Sequence, residues 1–268
     1  MDRYISTIIP ATDRFRYSLL PDCCLVSILM QMTSKWFAVR YVGSKRKIAK
    51  YLLPYIYKGL AVNPKAAYIE PFAGGCNMIT TVKHHTRIGY DSNKYLIALL
   101  REAQRHPDVL KNTNCMTKEA FTYVKKHKDE FHPWYVGATG YFPTYANKWM
   151  ESYNEYNSPG TFKGSMKNVL KQDLAGIHLL HGDYKNIPLG KGNVIYCDPP
   201  YKHFDYYKMP FDHDEFCDWV RYASKTNIVY VSEYEMPSDF QCVWQMTITP
   251  GINHAAAPRE EKLFIYRP

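Results

Sequence analysis

No two of the seven cysteines in this 268-residue sequence form a C-x-x-C pair. They stand as Cys23, Cys24, Cys76, Cys115, Cys197, Cys217 and Cys242, an odd set that outlines neither a zinc knuckle nor a disulfide framework, so reduced thiols are expected. Nucleotide fingerprints are missing as well. Neither G-x-G-x-x-G nor G-x-x-x-x-G-K with a following Ser or Thr occurs, which removes dinucleotide and phosphate-loop ATPase readings. The apolar run Cys23 to Met32 is too short to cross a bilayer, and Asp13 and Asp22 upstream of it make a poor signal peptide, so no membrane partner is expected. His203, His213 and His254 are too dispersed to argue for a metal, and none is expected. Acidic residues are the minority charge, 25 against 34 basic, and the formal net charge of +9 suits a polyanionic partner without establishing one.

What the chain does have is one stretch around which the rest is organised: Asn193-Val194-Ile195-Tyr196-Cys197-Asp198-Pro199-Pro200-Tyr201. Val194, Ile195 and Tyr196 favour a pleated strand. Two consecutive prolines lack the amide donors a ladder needs and hold the backbone stiff. Asp198 and Tyr201 are therefore expected at the carboxyl end of a buried strand, the edge where open α/β sheets bind ligands. By itself this could still be a strand, a proline turn and a solvated acid.

A second segment, Ala67-Tyr68-Ile69-Glu70-Pro71-Phe72-Ala73-Gly74-Gly75-Cys76-Asn77-Met78-Ile79, runs strand, glycine turn, helix, and its paired glycines allow a ligand to approach the backbone closely. The next strand, Arg87 to Tyr90, ends in Asp91 before a helix through Leu96, Leu99 and Leu100. An acid about twenty residues beyond a glycine loop is where a carboxylate would accept a ribose diol; capping the helix is the competing role. Between Lys35 and Leu60 there are seven basic residues and no acidic one, with Ile48, Tyr51, Leu52 and Tyr55 at helical spacing. Just ahead of that helix, Gly43 and Lys45 stand where backbone amides and an ammonium could meet an anionic group.

The order of these segments carries a resemblance. Asp198-Pro199-Pro200-Tyr201 resembles the catalytic motif of the amino-methyltransferases, which methylate an exocyclic nitrogen of adenine or cytosine in DNA. The Glu70-to-Gly75 run resembles their S-adenosylmethionine loop, and Tyr41 to Lys45 is similar to the amino-terminal donor-contacting segment of the Dam-like adenine enzymes. Asp183-Tyr184, after the strand Ile177 to His181, matches the adenine-ring contact of the donor. The whole, from Trp36 onward, is similar to the α-group, Dam-type arrangement in its phage and prophage forms. Those forms include restriction–modification enzymes.

The resemblance implies an α/β, Rossmann-like fold with a seven-stranded, mostly parallel sheet and an inserted target-recognition lobe. Residues 1–34 are then an extension without assigned role, 35–100 and 177–268 the catalytic domain, and 101–176 the DNA-reading insert. It also implies catalytic Asp198, Pro199, Pro200 and Tyr201. The donor-binding residues would be Tyr41, Gly43, Lys45, Glu70, Pro71, Phe72, Ala73, Gly74, Gly75, Asp91, Asp183, Tyr184 and Asp198. The donor would be S-adenosylmethionine, the product S-adenosylhomocysteine and the partner double-stranded DNA, with a monomer acting in the cytoplasm of a bacterial or phage-infected host. No cysteine follows a proline, so the covalent mechanism of carbon-5 cytosine methylation is not expected. Methylation of the cytosine amine stays open beside adenine, because the tetrapeptide serves either base. So does a DNA-binding protein that keeps the fold without the activity.

Within 101–176, Lys118 to Phe131 is expected to be helical, and an aromatic, glycine-dotted stretch follows through Trp134, Tyr135, Gly137, Gly140, Tyr141, Trp149, Tyr153 and Tyr156. Aromatics there could stack where a base is displaced, and Asn147, Asn154 or Asn157 could read adenine. A small aromatic subcore is the plainer reading of most of these positions. Farther on, Phe211 to Phe216 opens an amphipathic helix whose early acids suit its positive end. Asn227 to Val231 is a strand leading into Ser232-Glu233-Tyr234, and Phe240 to Ile248 with Glu261 to Tyr266 forms a closing antiparallel pair.

Overall fold

Runs of three to nine residues rich in Val, Ile and Tyr become strands because their side chains can be buried on a pleated surface. In the computed structural model they are β1 (Tyr68–Glu70), β2 (Arg87–Asp91), β3 (Ile177–His181), β4 (Val194–Cys197), β5 (Ile228–Glu233), β6 (Phe240–Ile248) and β7 (Arg259–Tyr266). The structure describes residues 45–113, 116–144, 148–155, 159–202, 211–248 and 259–268. All belong to one compact unit, Trp36–Pro268.

The strands form one seven-stranded sheet in the order β3-β2-β1-β4-β5-β7-β6. The first five pair in parallel, and β7 enters antiparallel between β5 and β6. The strand order reverses at β1, which pairs with β2 on one side and β4 on the other, with Ile69 opposite Ile195. A crevice forms outside the carboxyl ends of strands at such a switch point. The glycine turn that follows β1 and the Asp-Pro-Pro-Tyr turn that follows β4 flank it. Ile69, Ile195, Cys197, Val229 and Val231 are at most 2% exposed in the core beneath, each large side chain contributing about 1.5–3 kcal/mol by burial.

The helices are α1 (Ala49–Val62), α2 (Lys94–Arg105), α3 (Pro107–Lys111), α4 (Lys118–Lys126), α5 (Pro133–Tyr141), α6 (Pro159–Leu170) and α7 (His213–Ser224). Among the described residues, three helices have side-chain caps: Asn93 on α2, Thr117 on α4 and Asp212 on α7. Each satisfies amides at a helix start that have no intrahelical partner. Asp214 and Glu215 lie in the first turn of α7, as expected for its positive end.

The structure departs from the sequence reading in four places. The buried stripe of α1 is Ile48, Leu52, Leu53, Ile56, Gly59 and Leu60. Tyr51 points outward, 38% exposed and stacked on Trp244, while Tyr55 offers its carbonyl to the Tyr230 hydroxyl at 2.9 Å. No helix follows the glycine turn: Cys76 to Thr81 is a series of turns. There the Thr80 and Thr81 hydroxyls bond back to the Cys76 and Met78 carbonyls at 2.7 and 2.6 Å, a local competition with the helical ladder. The expected Lys118-to-Phe131 helix stops at His127 and resumes as a single 3-10 turn, Lys128–Glu130. Glu130 folds back to accept from Tyr123 and to pair with His127, each at 2.9 Å. The first part of the glycine-dotted stretch, through Tyr141, is the helix α5, whose two glycines are packing sites. A Cβ on Gly137 would stand 2.2 Å from the Tyr95 carbonyl of α2, and one on Gly140 would stand 2.1 Å from the Trp149 ring.

Candidate active site

The chain leaves β4 at Cys197 with no amide donor at Pro199 or Pro200, so side chains from neighbouring elements hold the turn. Lys45, in the 3-10 turn Lys45–Lys47 ahead of α1, places its Nζ 2.9 Å from Asp198 Oδ1 and 3.8 Å from Glu261 Oε2. Lys45 is 4% exposed, whereas the Asp198 side chain keeps 23%, so the carboxylate is the member of the pair that can meet a ligand. Burial pushes the Lys45 ammonium down, but Asp198 and Glu261 outweigh it and the net direction is up. Burial pushes the Asp198 carboxyl up, and Lys45 pulls it part of the way back. An ammonium buried this deeply is tolerable because two carboxylates face it.

Tyr201 completes the cluster. Its hydroxyl donates to Glu261 Oε2 at 2.9 Å, its ring lies 4.4 Å beneath Lys45 Nζ, and the Tyr234 ring meets it edge-on at 4.6 Å and 90°. One face of the ring is therefore taken by a cation, an attraction of about 0.5–2 kcal/mol. Sequence reasoning missed Glu261, Tyr234 and Glu233 as members of this site. A weak signal existed for Glu261: two consecutive acids, Glu260 and Glu261, open a strand, where acids are disfavoured.

On the other side of the switch point, Glu70 is 2% exposed and accepts from the Tyr68 hydroxyl at 2.7 Å, and burial pushes its carboxyl well up. Pro71, Ala73, Gly74 and Gly75 are buried around the turn, and Phe72 is half-buried with its ring 5.2 Å from that of Tyr184. Gly74 has φ 48°. Its amide donates to Asp91 Oδ2 at 3.0 Å, while Asp91 Oδ1 accepts from the Asn93 amide at 2.8 Å. Asn93, not Asp91, caps α2, so the capping role is removed and Asp91 joins the glycine turn. Burial pushes the Asp91 carboxyl up, with those two amides acting against it. Asp183 is exposed and caps the short turn Tyr184–Asn186 through the Lys185 amide at 3.0 Å. Tyr184 is 5% exposed, and its hydroxyl has no hydrogen-bond partner among the described residues.

Lys45, the Glu70-to-Gly75 turn, Asp91 and the Asp198-to-Tyr201 turn thus come from elements at the carboxyl end of the sheet around one switch point. Tyr41 and Gly43 lie outside the described residues, as do Asn147, Tyr156, Asn157, His203 and His254. Of the basic residues on α4 and just after it, Lys125 bonds the Glu151 carbonyl at 2.8 Å and Lys128 the Lys125 carbonyl at 2.7 Å. Trp149 stacks on Tyr95 at 5.5 Å, and Tyr153 packs against Phe121 at 5.7 Å. Most of the aromatic content described in this segment is a subcore. Among the described residues no group of His, Cys, Asp and Glu side chains gathers as a metal site, and no helix is long and apolar enough to cross a membrane.

No curated protein matches the chain. Among solved structures it is similar to the rRNA methyltransferase aviRa from Streptomyces viridochromogenes, at 10% identity and a TM-score of 0.34 over 81% of this chain and 84% of that one. It is also similar to a putative class I S-adenosylmethionine-dependent methyltransferase from Listeria monocytogenes, at 11% identity and a TM-score of 0.38 over 91% and 67%. The fold assignment rests on the strand order itself. The model of the D12 class N6 adenine-specific DNA methyltransferases matches residues 41–217, well over half of the chain. That match takes in both turns of the switch point and selects adenine over the cytosine amine. The chain belongs to the D12 class of N6 adenine-specific DNA methyltransferases, enzymes that transfer a methyl group from S-adenosylmethionine to the exocyclic nitrogen of adenine in DNA.

Proposed function

We propose that Asp198 and the Pro199 carbonyl accept the two hydrogens of the exocyclic amine of an adenine displaced from duplex DNA, while Tyr201 packs against the displaced base. The observation that carries this reading is the placement of Asp198: it is the partly exposed carboxylate at the end of β4, across the switch point from the glycine turn after β1. Adenine's amine is a poor nucleophile because its lone pair is delocalised into the ring. Two acceptors fixed at its hydrogens localise that lone pair and favour pyramidal nitrogen, and holding it in line with the methyl supplies the rest by positioning. S-adenosylmethionine, when bound, supplies an electrophilic methyl on a sulfonium. Asp198 therefore need not be a strong base, and the proton leaves after transfer. Lys45 fixes the Asp198 carboxylate through Oδ1 and covers one face of Tyr201, so the base stacks on the other. The target atom is unreachable inside the duplex, which requires base flipping.

The residues fit the methyl donor. The Glu70-to-Gly75 turn allows close approach, and each Asp91 oxygen retains a lone pair for a ribose hydroxyl. Phe72 and Tyr184 offer aromatic faces, and the buried Tyr184 hydroxyl still lacks a partner among the described residues. Tyr41, Gly43, Lys45 and Asp183 complete the set. Segment 101–176 is assigned to reading double-stranded DNA, with the excess of basic residues supporting a polyanionic partner. In this reading the enzyme acts as a monomer in the cytoplasm of a bacterial or phage-infected host.

The test is expression in a host lacking its own DNA methyltransferases, then digestion of plasmid DNA to nucleosides and mass spectrometry. N6-methyladenine is expected from the native chain and not from folded Asp198→Ala or Tyr201→Ala. Equal methylation by either variant would sink the assignment of roles.

A further inference from the structure

The glycine turn after β1 is held from outside its own βα unit. The Gly75 carbonyl accepts from Gln172 Nε2 at 2.7 Å, and Gln172 lies just beyond α6, 97 residues along the chain. Gln172 is 9% exposed, and its Oε1 has no partner among the described residues, so its amide is oriented by the bond to Gly75. A second tether reaches the neighbouring glycine through a chain of hydrogen bonds. The Gly74 amide is bound by Asp91 at 3.0 Å, Asp91 binds the Asn93 amide at 2.8 Å, and Asn93 Nδ2 donates to the Tyr141 hydroxyl at 2.9 Å. Tyr141 is the last residue of α5 and is 3% exposed.

Immediately after the two glycines stands Cys76 with φ 58°, a left-handed backbone at a residue that carries a Cβ. Such a conformation persists only where the surroundings over-determine it. The turn's other bonds flank the glycines: the Ala73 amide to the Tyr90 carbonyl at 2.7 Å, Cys76 N to the Ala73 carbonyl at 2.8 Å, and to the Cys76 carbonyl the Thr80 hydroxyl at 2.7 Å and the Thr80 amide at a long 3.4 Å. No regular helix follows to fix the turn from behind. At the two glycines themselves, the bonds that reach in from segment 101–176 come from Gln172 and from Tyr141 acting through Asn93 and Asp91.

We propose that Gln172 and Tyr141, both supplied by segment 101–176, are positioning residues for the methyl-donor turn, so that the segment assigned to DNA shapes the donor site as well. This rests on reading Glu70 to Gly75 as the donor-binding turn. Gln172→Glu keeps the side chain's shape but replaces the donor to the Gly75 carbonyl with an oxygen. Tyr141→Phe removes one hydroxyl.

Titration calorimetry of the full chain with S-adenosylhomocysteine tests the proposal. Kd is expected to rise roughly tenfold in Gln172→Glu and about threefold in Tyr141→Phe, as for the loss of one buried hydrogen bond each. In steady-state assays the KM for S-adenosylmethionine should rise by the same factors while the KM for duplex DNA stays put. A merely structural role would move both KM values and the melting temperature together. An unchanged Kd in Gln172→Glu, or a parallel rise of both KM values, overturns the proposal. Should Gln172→Glu fail to fold, an unchanged Kd in Tyr141→Phe does the same. Gly74→Val, at φ 48°, separates the two readings. If it still binds S-adenosylhomocysteine, the donor-turn reading falls; if it loses binding while Gln172→Glu and Tyr141→Phe keep it, only the positioning role falls.

Discussion

Glu233 closes β5 beside the Asp198-to-Tyr201 turn, and its ionisation has a measurable consequence for stability. It is 3% exposed, accepts from the Tyr234 amide at 2.8 Å and also from the backbone amide of Lys202. Its other oxygen, Oε2, is buried without a partner among the described residues. Burial pushes its carboxyl up from 4.5 to about 7, with the two amides and Lys45 pulling down and Asp198 pushing up. Between pH 4.5 and 7 the native state therefore holds a proton that the unfolded state has released, and stability falls as pH rises through that window. At 1.36 kcal/mol for each pH unit of displacement, the ionised carboxylate costs the fold about 3 kcal/mol above pH 7 and nothing below 4.5.

Glu233→Gln is close to isosteric with the protonated acid. It keeps an oxygen for the two amides and leaves a similar unpartnered donor at the Oε2 position. Variant and native protein should melt together at pH 4.5. At pH 8 the variant should melt higher by about 6 °C or more, using roughly 2–4 °C per kcal/mol for a chain of this size. Thermal unfolding followed by circular dichroism at the two pH values measures the difference. A melting-point gap that is the same at both, or that favours the native protein at pH 8, refutes a buried carboxyl poised near neutrality.

Gly137→Ala should destabilise by about 3 kcal/mol in urea unfolding, because the new Cβ meets a backbone carbonyl at 2.2 Å that cannot swing away. Gly164→Ala, in α6 with nothing within 4 Å, should stabilise by about 0.5–1 kcal/mol, and equal effects at the two sites would refute the packing argument. Tyr201→Phe loses the bond to Glu261 but keeps the ring beneath Lys45, so kcat should fall less than about tenfold while Tyr201→Ala is inactive. If the Phe variant is as inactive as Ala in steady-state assays, the hydroxyl has a part in the chemistry.

Much of this protein was decided by short stretches of sequence. Val194 to Cys197, ahead of an acid and two prolines, read as a buried strand with a stiff end, which put Asp198 and Tyr201 at the sheet edge. The paired glycines behind β1 and the acid that ends β2 were legible for the same reason: a tight turn or a strand end is a constraint on adjacent residues. The tertiary structure decided which distant side chains meet there. Glu261 reaches Tyr201 and Lys45 because β7 inserts between β5 and β6, and nothing local to Glu261 encodes that register. Gln172 reaches Gly75, and Tyr141 reaches Asn93, only once the segment between β2 and β3 has folded back on the turn. The glycine-dotted stretch gave no sign that Gly137 is a contact point; that follows only from α5 lying against α2 at a distance that admits no Cβ. Local sequence carries backbone constraints and periodicity, whereas hydrogen bonds across tens of residues depend on how the elements pack.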